Sequence, residues 1–282
     1  MRIGFVGAGN MGGAIIKGFA AAQGLDASRR YLDAVLVYDA DTAKAEALTH
    51  MPGVSAAASL AQLCGLSDVI VLCVKPGVIG GVLEEIAEIL KPIESPEPAG
   101  GKIFVSIAAG VSARFITDKL GTGTKVVRVM PNTPAMVGEG MSALAASGCL
   151  SDGEGAAVEN LFSSVGIAVW VPEELMDIVT GISGSSPAYT YMYIEGLIKA
   201  GVAGGMSREA ATIFAAQSTL GAAKMVLENM DAGVDPEQLR INVCSPGGTT
   251  IEAVKVLEEA GFAAIAEKAA GVAAAKSKTM AK

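Results

Sequence analysis

Residues 2–12 read RIGFVGAGNMG, a short apolar run that leads directly into a glycine-rich turn. Gly7, Gly9 and Gly12 have the spacing G-x-G-x-x-G, and the residues after them, 13–22, have the pattern of a helix. Between a strand and a helix this spacing is the fingerprint of a dinucleotide-binding α/β fold. We therefore predict a nucleotide-binding domain at the start of the chain.

The three glycines have separate predicted roles. Gly7 permits a tight turn, Gly9 lets the backbone approach a pyrophosphate, and Gly12 allows the helix to pack closely on the strand. The N-terminus of the helix offers unpaired N–H groups and partial positive charge to phosphate oxygens. The alternative is an incidental glycine turn, which the flanking strand and helix disfavour.

The next predicted strand, VLVYD, ends at Asp39, where such folds place the residue that contacts the adenosine ribose. A carboxylate there can accept hydrogen bonds from both ribose hydroxyls, and it repels a 2′-phosphate. No arginine follows nearby, so the residues themselves favour NADH over NADPH. The alternative is that Asp39 caps the turn or helix that follows it.

Strands and helices alternate through the first 171 residues. A continuous apolar run such as SDVIVLCV (67–74) is typical of a parallel sheet buried on both faces. Ser151 and Glu154 have the spacing of a capping box, which predicts a helix start. The expected strands are 2–6, 35–38, 67–74, 102–108, 125–130, 141–146 and 166–171, the helices are 13–22, 42–48, 82–90, 112–120 and 151–163, and 91–101 is a Pro/Gly loop.

The pattern changes after Pro172, where we find helical periodicity and no convincing strand. The main predicted helices are 187–205, 207–230 and 249–261. The predicted fold class is therefore α/β: a Rossmann-type, doubly wound N-terminal sheet (1–171) followed by an all-α dimerisation domain (172–282). Long, alanine-rich helices with few aromatic residues favour a homodimer through this half, and a compact monomeric bundle is the alternative.

Composition excludes several classes of protein. The net charge of −8 and the lack of a Lys/Arg cluster argue against nucleic acid as a partner. The four cysteines form no CxxC pair and His50 is the single histidine, so we expect free thiols, no metal site and no His-based triad. The first residues are not a signal peptide, and no run looks able to span a membrane, so the expected location is cytoplasmic.

Four more segments are rich in special residues: VKPG (74–77), SIAAGV (106–111), RVMPNTPA (128–135) and SPGGTTIEAV (245–254). The first three lie at the carboxyl ends of predicted strands, at the edge where open parallel sheets bind ligands. Each could be ordinary turn chemistry, since Pro, Gly and Asn are turn formers. Beside a dinucleotide motif they are better explained as one cofactor cleft.

The fourth segment predicts an anion site. Thr249 and Glu252 have capping-box spacing, so Thr249 is the expected N-cap of a helix. Free N–H groups of Gly248, Thr249 and Thr250 would then face one point and could bind a small carboxylate. An ordinary capped helix is the alternative.

Taken together, VGAGNMG, VKP, SIAAG, MPNTP, GISGSSPAY and SPGGTTIEAV resemble the pyrroline-5-carboxylate reductase family, in order from Arg2 to about Phe262. The resemblance implies reduction of 1-pyrroline-5-carboxylate to L-proline by NADPH or NADH, the last step of proline biosynthesis. It also implies an interlocked homodimer, which could assemble further into a ring of dimers.

The resemblance implies a set of site residues. Thr250 would be catalytic, orienting the ring nitrogen or helping to protonate it, and the substrate would contact Gly248, Thr249, Thr250 and Glu173, although Glu173 could equally be an exposed glutamate at a helix start. Together with Asp39, the expected cofactor-binding residues are Val6, Gly7, Ala8, Gly9, Asn10, Met11, Gly12, Cys73, Val74, Lys75, Pro76, Ile107, Ala108, Ala109 and Asn242. In an interlocked dimer Asn242 would come from the partner chain.

Two departures put NADPH preference in doubt. Relatives that prefer NADPH often carry Ser, Thr or Asn where this chain has Asp39. A second small polar residue of some relatives aligns near Ser59 or Leu60, and of these two only Ser59 is polar.

Two rival functions remain open. A β-hydroxyacid dehydrogenase would need a lysine base in 183–196, which has none, and Lys199 lies further along. A non-enzymatic dinucleotide sensor would need the first motif but not SPGGTT.

Overall fold

The structure is a computed structural model that describes residues 1–25, 34–91 and 98–280. It divides into two compact units, Met1–Ser185 with Val272–Lys282, and Ser186–Gly271. Most of the loop expected at 91–101, residues 92–97, lies outside the described residues.

The first unit contains an eight-stranded sheet with the order β3-β2-β1-β4-β5-β6-β7-β8. Neighbouring strands are parallel except β6 and β7, which pair antiparallel. Because the strand order reverses between β1 and β4, the carboxyl ends of these strands flank a cleft at a topological switch point. The strands are β1 Arg2–Val6, β2 Ala34–Tyr38, β3 Val54–Ala56, β4 Val69–Leu72, β5 Ile103–Ser106, β6 Lys125–Met130, β7 Gly140–Ser147 and β8 Gly166–Trp170.

Helices cover both faces of this sheet, as the doubly wound prediction requires. One core contains Ile15 and Ile16 from the first helix with Phe162 from the sixth, and a second contains Leu83 and Ile116 from the fourth and fifth. The helices of this unit are α1 Asn10–Leu25, α2 Thr42–Glu46, α3 Leu60–Leu66, α4 Ile79–Leu90, α5 Ala113–Leu120, α6 Asp152–Ser163 and α7 Met176–Val179.

The regular secondary structure of the second unit is entirely helical, as predicted. Its centre is small, with Ile198 of α8 buried against Ala211 and Ala215 of α9. The rings of Tyr193 and Phe262 lie 6.1 Å apart. The helices are α8 Ser186–Ala203, α9 Arg208–Asn229, α10 Pro236–Val243, α11 Thr249–Glu259 and α12 Phe262–Met280, and the last of these ends within the first unit.

The helix α9 is the part of the described structure that bears on the expectation that no segment spans a membrane. Of the described helices it alone is long and apolar enough by length and composition to do so, with a mean hydropathy of 1.2 and 11% of that stretch buried. Its apolar side chains face outward, with Ile213 and Phe214 each more than 60% exposed.

Five of these strands and α-helices were not predicted: β3, α3, α7, α10 and α12. The strand β3 has only three residues, too few to show a period. The start signals of α10 were present, because Asp235 accepts a hydrogen bond from Gln238 and Pro236 follows it, yet the helix is only eight residues long. The capping box at the start of α6 is confirmed, since Ser151 and Glu154 bond reciprocally.

Candidate active site

The glycine turn has the conformation that its sequence requires. Gly7 has φ of +105°, where residues with a side chain are strained, and its N–H donates to the carbonyl of Tyr38 at 2.8 Å. A Cβ on Gly7 would lie 2.9 Å from the carbonyl oxygen of Cys73. The turn is therefore held between the ends of β2 and β4.

Gly9 and Gly12 face different surroundings. A Cβ on Gly12 would lie 2.5 Å from the Gly7 carbonyl and 3.0 Å from the Cβ of Cys73, so this position must be glycine for α1 to pack. A Cβ on Gly9 would meet no atom within 4 Å. Space in front of Gly9 and the unpaired N–H groups of the first turn of α1 suit a pyrophosphate.

Asp39 closes this turn with its carboxylate. Its Oδ2 accepts a hydrogen bond from the Ala8 N–H at 2.7 Å, and its Oδ1 accepts one from the Asp41 N–H at 2.9 Å. The second bond agrees with the alternative that Asp39 caps the turn that follows it. Each carboxylate oxygen keeps further acceptor capacity, so these bonds do not prevent contact with a ribose hydroxyl.

A cavity of about 370 Å³ opens beside the glycine turn. It brings two lysines, Lys17 of α1 and Lys44 of α2, next to Gly9. Neither lysine was predicted as a site residue, because the two belong to different helices and no local motif marks them. The lining residues are Ala8, Gly9, Asn10, Gly13, Ala14, Lys17, Lys44, Ala47, Leu48 and Met136.

The structure places three of the predicted cofactor segments on one edge of the sheet. Residues 7–12, 73–76 and 107–109 follow the carboxyl ends of β1, β4 and β5, which are parallel neighbours. Burial raises the pKa of the Cys73 thiol far above its usual range, so it is neutral at physiological pH and packs against the turn. This edge has the form of a dinucleotide cleft.

The MPNTP segment is anchored on the same edge by Asn132. The buried side chain donates from Nδ2 to the Ser183 carbonyl at 3.1 Å and accepts at Oδ1 from the Met141 N–H at 2.9 Å. The 3₁₀ helix Thr133–Val137 that follows packs against α1 and brings Met136 to the cavity beside Gly9. Asn132 therefore fixes one wall of that cavity.

The start of α11 differs from the prediction. Its N-cap is Gly248, with φ of −82° and ψ of 169°, and Thr249 is the first helical residue. No side chain caps the helix, since Glu252 pairs with Lys255 at 2.6 Å rather than forming a capping box. The expected capping role of Thr249 is therefore wrong, because extended Gly248 takes that position and Glu252 has a cationic partner.

The N–H groups at this helix start are only partly free. The Gly248 N–H donates to the carbonyl of Ser245 at 3.0 Å, so it belongs to the turn and is not available as predicted. The N–H groups of Thr249 and Thr250 lie in the first turn, where a helix supplies no acceptor. An uncapped helix start with two such groups can bind a carboxylate.

Two other predicted site residues already have partners. Asn242, near the end of α10, accepts a hydrogen bond from Gln238 at 2.8 Å. Glu173 accepts hydrogen bonds from the Arg128 side chain at 2.8 Å and from the Ala113 N–H at 3.0 Å. Asn242, Thr249 and Thr250 lie in the second compact unit, while the glycine turn and Glu173 lie in the first.

Comparison with known protein families gives two separate matches, one in each half of the chain. Residues 173–280 match the family described as pyrroline-5-carboxylate reductase dimerisation. Residues 2–110 match the family described as NADP oxidoreductase, coenzyme F420-dependent. The second match covers the glycine turn and the loops after β4 and β5.

Relatives match over almost the whole chain. The pyrroline-5-carboxylate reductase of Escherichia coli is 42% identical over 263 residues, which are 93% of this chain and 92% of that protein. A solved pyrroline-5-carboxylate reductase from Coxiella burnetii is 33% identical with a TM-score of 0.87, covering 99% of this chain and 98% of the other. The Plasmodium falciparum enzyme, solved with NADP bound, is 32% identical with a TM-score of 0.83, covering 100% and 98%. This chain belongs to the pyrroline-5-carboxylate reductase family.

Proposed function

We propose that this protein reduces 1-pyrroline-5-carboxylate to L-proline with NADPH or NADH, the last step of proline biosynthesis. The observation that carries the proposal is the uncapped helix start at SPGGTT, in a chain whose glycine turn also leaves empty space in front of Gly9. One feature suits a small carboxylate and the other a diphosphate. Full-length similarity to enzymes with this name supports the same conclusion.

The cofactor would be held mainly by backbone. The space in front of Gly9 admits a pyrophosphate, and the first turn of α1 supplies N–H donors. Lys17 and Lys44 add positive charge beside a turn in a protein of net charge −8. We propose that the two lysines attract the phosphates, while Asp39 takes the ribose hydroxyls. The loops at 73–76 and 107–109 would line the path toward the nicotinamide, and Asn242 would contact the cofactor from the helical unit or from a partner chain.

The substrate carboxylate would accept hydrogen bonds from the N–H groups of Thr249 and Thr250. The partial positive charge of the α11 N-terminus favours an anion there by roughly 0.3–1 kcal/mol. We propose that Gly248 shapes this site rather than donating to it, because its own N–H is used in the turn. The Thr250 hydroxyl would lie beside the ring nitrogen.

The reaction asks little acid–base chemistry of the protein. The reduced nicotinamide supplies a hydride to the C=N carbon, and the nitrogen receives one proton, which gives the secondary amine of proline. A protonated cyclic imine is already a good hydride acceptor, so the protein mainly positions the two reactants. Thr250 would orient the ring nitrogen. The proton on that nitrogen would come from protonated substrate or from water, because a hydroxyl group alone is a poor acid.

The test follows the oxidation of NADH and of NADPH in the presence of racemic 1-pyrroline-5-carboxylate. We expect turnover with at least one cofactor, with L-proline as the product. Parallel assays with β-hydroxy acids and oxidised cofactor test the dehydrogenase alternative, whose lysine candidate, Lys199, is exposed on α8. Cofactor binding without turnover of either substrate would refute the proposal and favour a sensor.

We further propose that the protein acts in the cytoplasm as a homodimer, which could assemble into a ring of dimers. The exposed apolar face of α9, with Ile213, Phe214 and Leu220, is the kind of surface that a second copy would cover. The match to a dimerisation family over residues 173–280 supports self-association. The four cysteines are free thiols, as expected in a reducing compartment.

A further inference from the structure

A single carboxylate oxygen joins three segments of the first unit. Oε1 of Glu173, at the start of a 3₁₀ helix after β8, accepts a hydrogen bond from Nη1 of Arg128 and another from the N–H of Ala113. Arg128 lies in β6, and Ala113 is the first residue of α5. The ion pair is largely shielded on the arginine side, where the side chain is 17% exposed.

The loop at 107–112 is connected to this ion pair at both of its ends. Arg128 lies opposite Ser106 in the β5–β6 register, and Ser106 is the last residue before the loop. Ala113 is the first residue after it. The loop contains Ile107, Ala108 and Ala109, the segment proposed to line the cofactor path. Glu173 therefore braces the loop at the strand where it begins and at the helix where it ends.

Both partners of Glu173 present positive charge or partial positive charge to its carboxylate. The N-terminus of α5 carries partial positive charge, and its N-cap Ser112 accepts a hydrogen bond from Phe115, which leaves the Ala113 N–H for Glu173. Without Glu173 the shielded guanidinium of Arg128 would lose its carboxylate partner. The loss of Glu173 would therefore disturb both ends of the loop.

We propose that Glu173 is a positioning residue that holds the 107–112 loop for the dinucleotide through Arg128 and Ala113, rather than a group that contacts the substrate. This inference rests on the proposed function, because it takes residues 107–109 as part of the cofactor site. It differs from the role that family resemblance suggested for Glu173. The two roles predict opposite effects on the two reactants.

The first experiment compares Glu173→Gln with Glu174→Gln. Glutamine keeps an acceptor for the Ala113 N–H and removes the charge, while Glu174 is exposed and makes no side-chain hydrogen bond or ion pair within the described residues. The Kd of the preferred cofactor is titrated without substrate, and steady-state KM and kcat are measured for both reactants. We expect Glu173→Gln to raise the cofactor Kd roughly three- to tenfold and to leave the KM for pyrroline-5-carboxylate unchanged. Glu174→Gln should match the wild-type protein.

A double-mutant cycle then tests the route through Arg128. Arg128→Met should raise the cofactor Kd by a similar factor. The cofactor Kd of the double variant should be no higher than that of either single variant. Arg128→Lys keeps the positive charge and loses the planar guanidinium, so its cofactor Kd should lie between those of the wild-type protein and Arg128→Met. It also keeps the test available if Arg128→Met fails to fold. Saturating cofactor should restore kcat in each.

Three results would overturn the positioning role. One is a higher KM for pyrroline-5-carboxylate with an unchanged cofactor Kd, which would make Glu173 a substrate contact. Another is an unchanged cofactor Kd in Glu173→Gln, whether or not its melting temperature falls. The third is full additivity of the two single variants. Because the titration needs no substrate, a protein that binds cofactor but reduces no imine would refute the proposed function and still test this inference.

Discussion

The carboxylate of Asp39 holds the glycine turn closed by accepting a 2.7 Å hydrogen bond from the backbone N–H of Ala8. This residue therefore has two separable properties, an acceptor that supports the turn and a negative charge that we propose faces the adenosine ribose. The charge should oppose a 2′-phosphate, since two like charges near a protein surface repel with energies of a few kcal/mol.

Asp39→Asn should separate these two properties. An asparagine oxygen can still accept from the Ala8 N–H, while the charge and the acceptor for the Asp41 N–H are lost. We expect the ratio of kcat/KM for NADPH to that for NADH to rise roughly tenfold or more, with a modest fall in melting temperature because the Asp41 N–H loses its partner. Asp39→Ser should shift the ratio in the same direction and also lower stability, because its shorter side chain cannot reach Ala8. An unchanged ratio in both variants would mean that Asp39 does not contact the ribose side of the cofactor.

Gly9 and Gly12 give a matched pair, because the same added methyl group meets open space at one and backbone at the other. Gly9→Ala should fold normally and lose cofactor affinity, since the methyl group occupies the space proposed for the pyrophosphate. Gly12→Ala should lower the free energy of unfolding by roughly 1–3 kcal/mol through overpacking. Chemical denaturation and cofactor titration distinguish the two. Normal cofactor binding by Gly9→Ala would argue against a pyrophosphate at this turn.

Thr250 lies in the first turn of α11, where its N–H and its hydroxyl have separate predicted roles. Thr250→Ala keeps the N–H and removes the hydroxyl, so kcat should fall by about tenfold or more while the cofactor Kd is unchanged. Thr250→Ser restores the hydroxyl and should recover most of the turnover. Equal kcat values for the alanine variant and the wild-type protein would remove the hydroxyl from the mechanism.

Local signals predicted the parts of this molecule that depend on neighbouring residues. The glycine spacing at 7–12 gave the turn, and the Ser151–Glu154 pair gave the start of α6. At α11 the same capping rule failed. Gly248 adopts the extended N-cap conformation, and Glu252 forms an ion pair with Lys255 instead of a capping box. Capping spacing alone cannot show which residue is extended.

Long-range relationships were not predictable from the sequence. The antiparallel pairing of β6 with β7 depends on how the chain returns through the 3₁₀ helix Thr133–Val137. The partners of Glu173 lie 45 and 60 positions away, so no sequence window contains them. Lys17 and Lys44 line one cavity only because α1 and α2 pack on the same face of the sheet.

We predict that a charged residue on the exposed face of α9 changes the oligomeric state of the protein. Phe214 is 68% exposed, and a charge there would be buried in any dimer formed through this face. Phe214→Glu should therefore yield monomers in analytical ultracentrifugation while the circular dichroism spectrum is kept. Lys224→Glu, on the same helix and also exposed, provides a control for the added negative charge. A Phe214→Glu protein that sediments as the wild type would show that self-association uses another surface.

Glu154 gives a prediction about acid stability. Burial alone would raise the pKa of this carboxyl, but the Ser151 N–H and the Lys125 ammonium outweigh burial and lower it. Because the folded-state pKa lies below the unfolded-state value, the charged group stabilises the fold above the ordinary glutamate pKa of about 4.3, and this contribution is lost as the pH falls through that value toward the folded-state pKa.

Glu154→Gln should show this loss directly. The amide keeps the capping box and removes the attraction to Lys125, whose amine lies 2.9 Å from the carboxylate. At neutral pH we expect the variant to be less stable by about 1 kcal/mol in urea denaturation, and we expect the gap to close as the pH falls below about 4. Glu46→Gln, at an exposed position on α2, should show no comparable gap at any pH. A gap for Glu154→Gln that is constant with pH would mean that its charge does not stabilise the fold, because a neutral hydrogen bond alone has no such pH dependence.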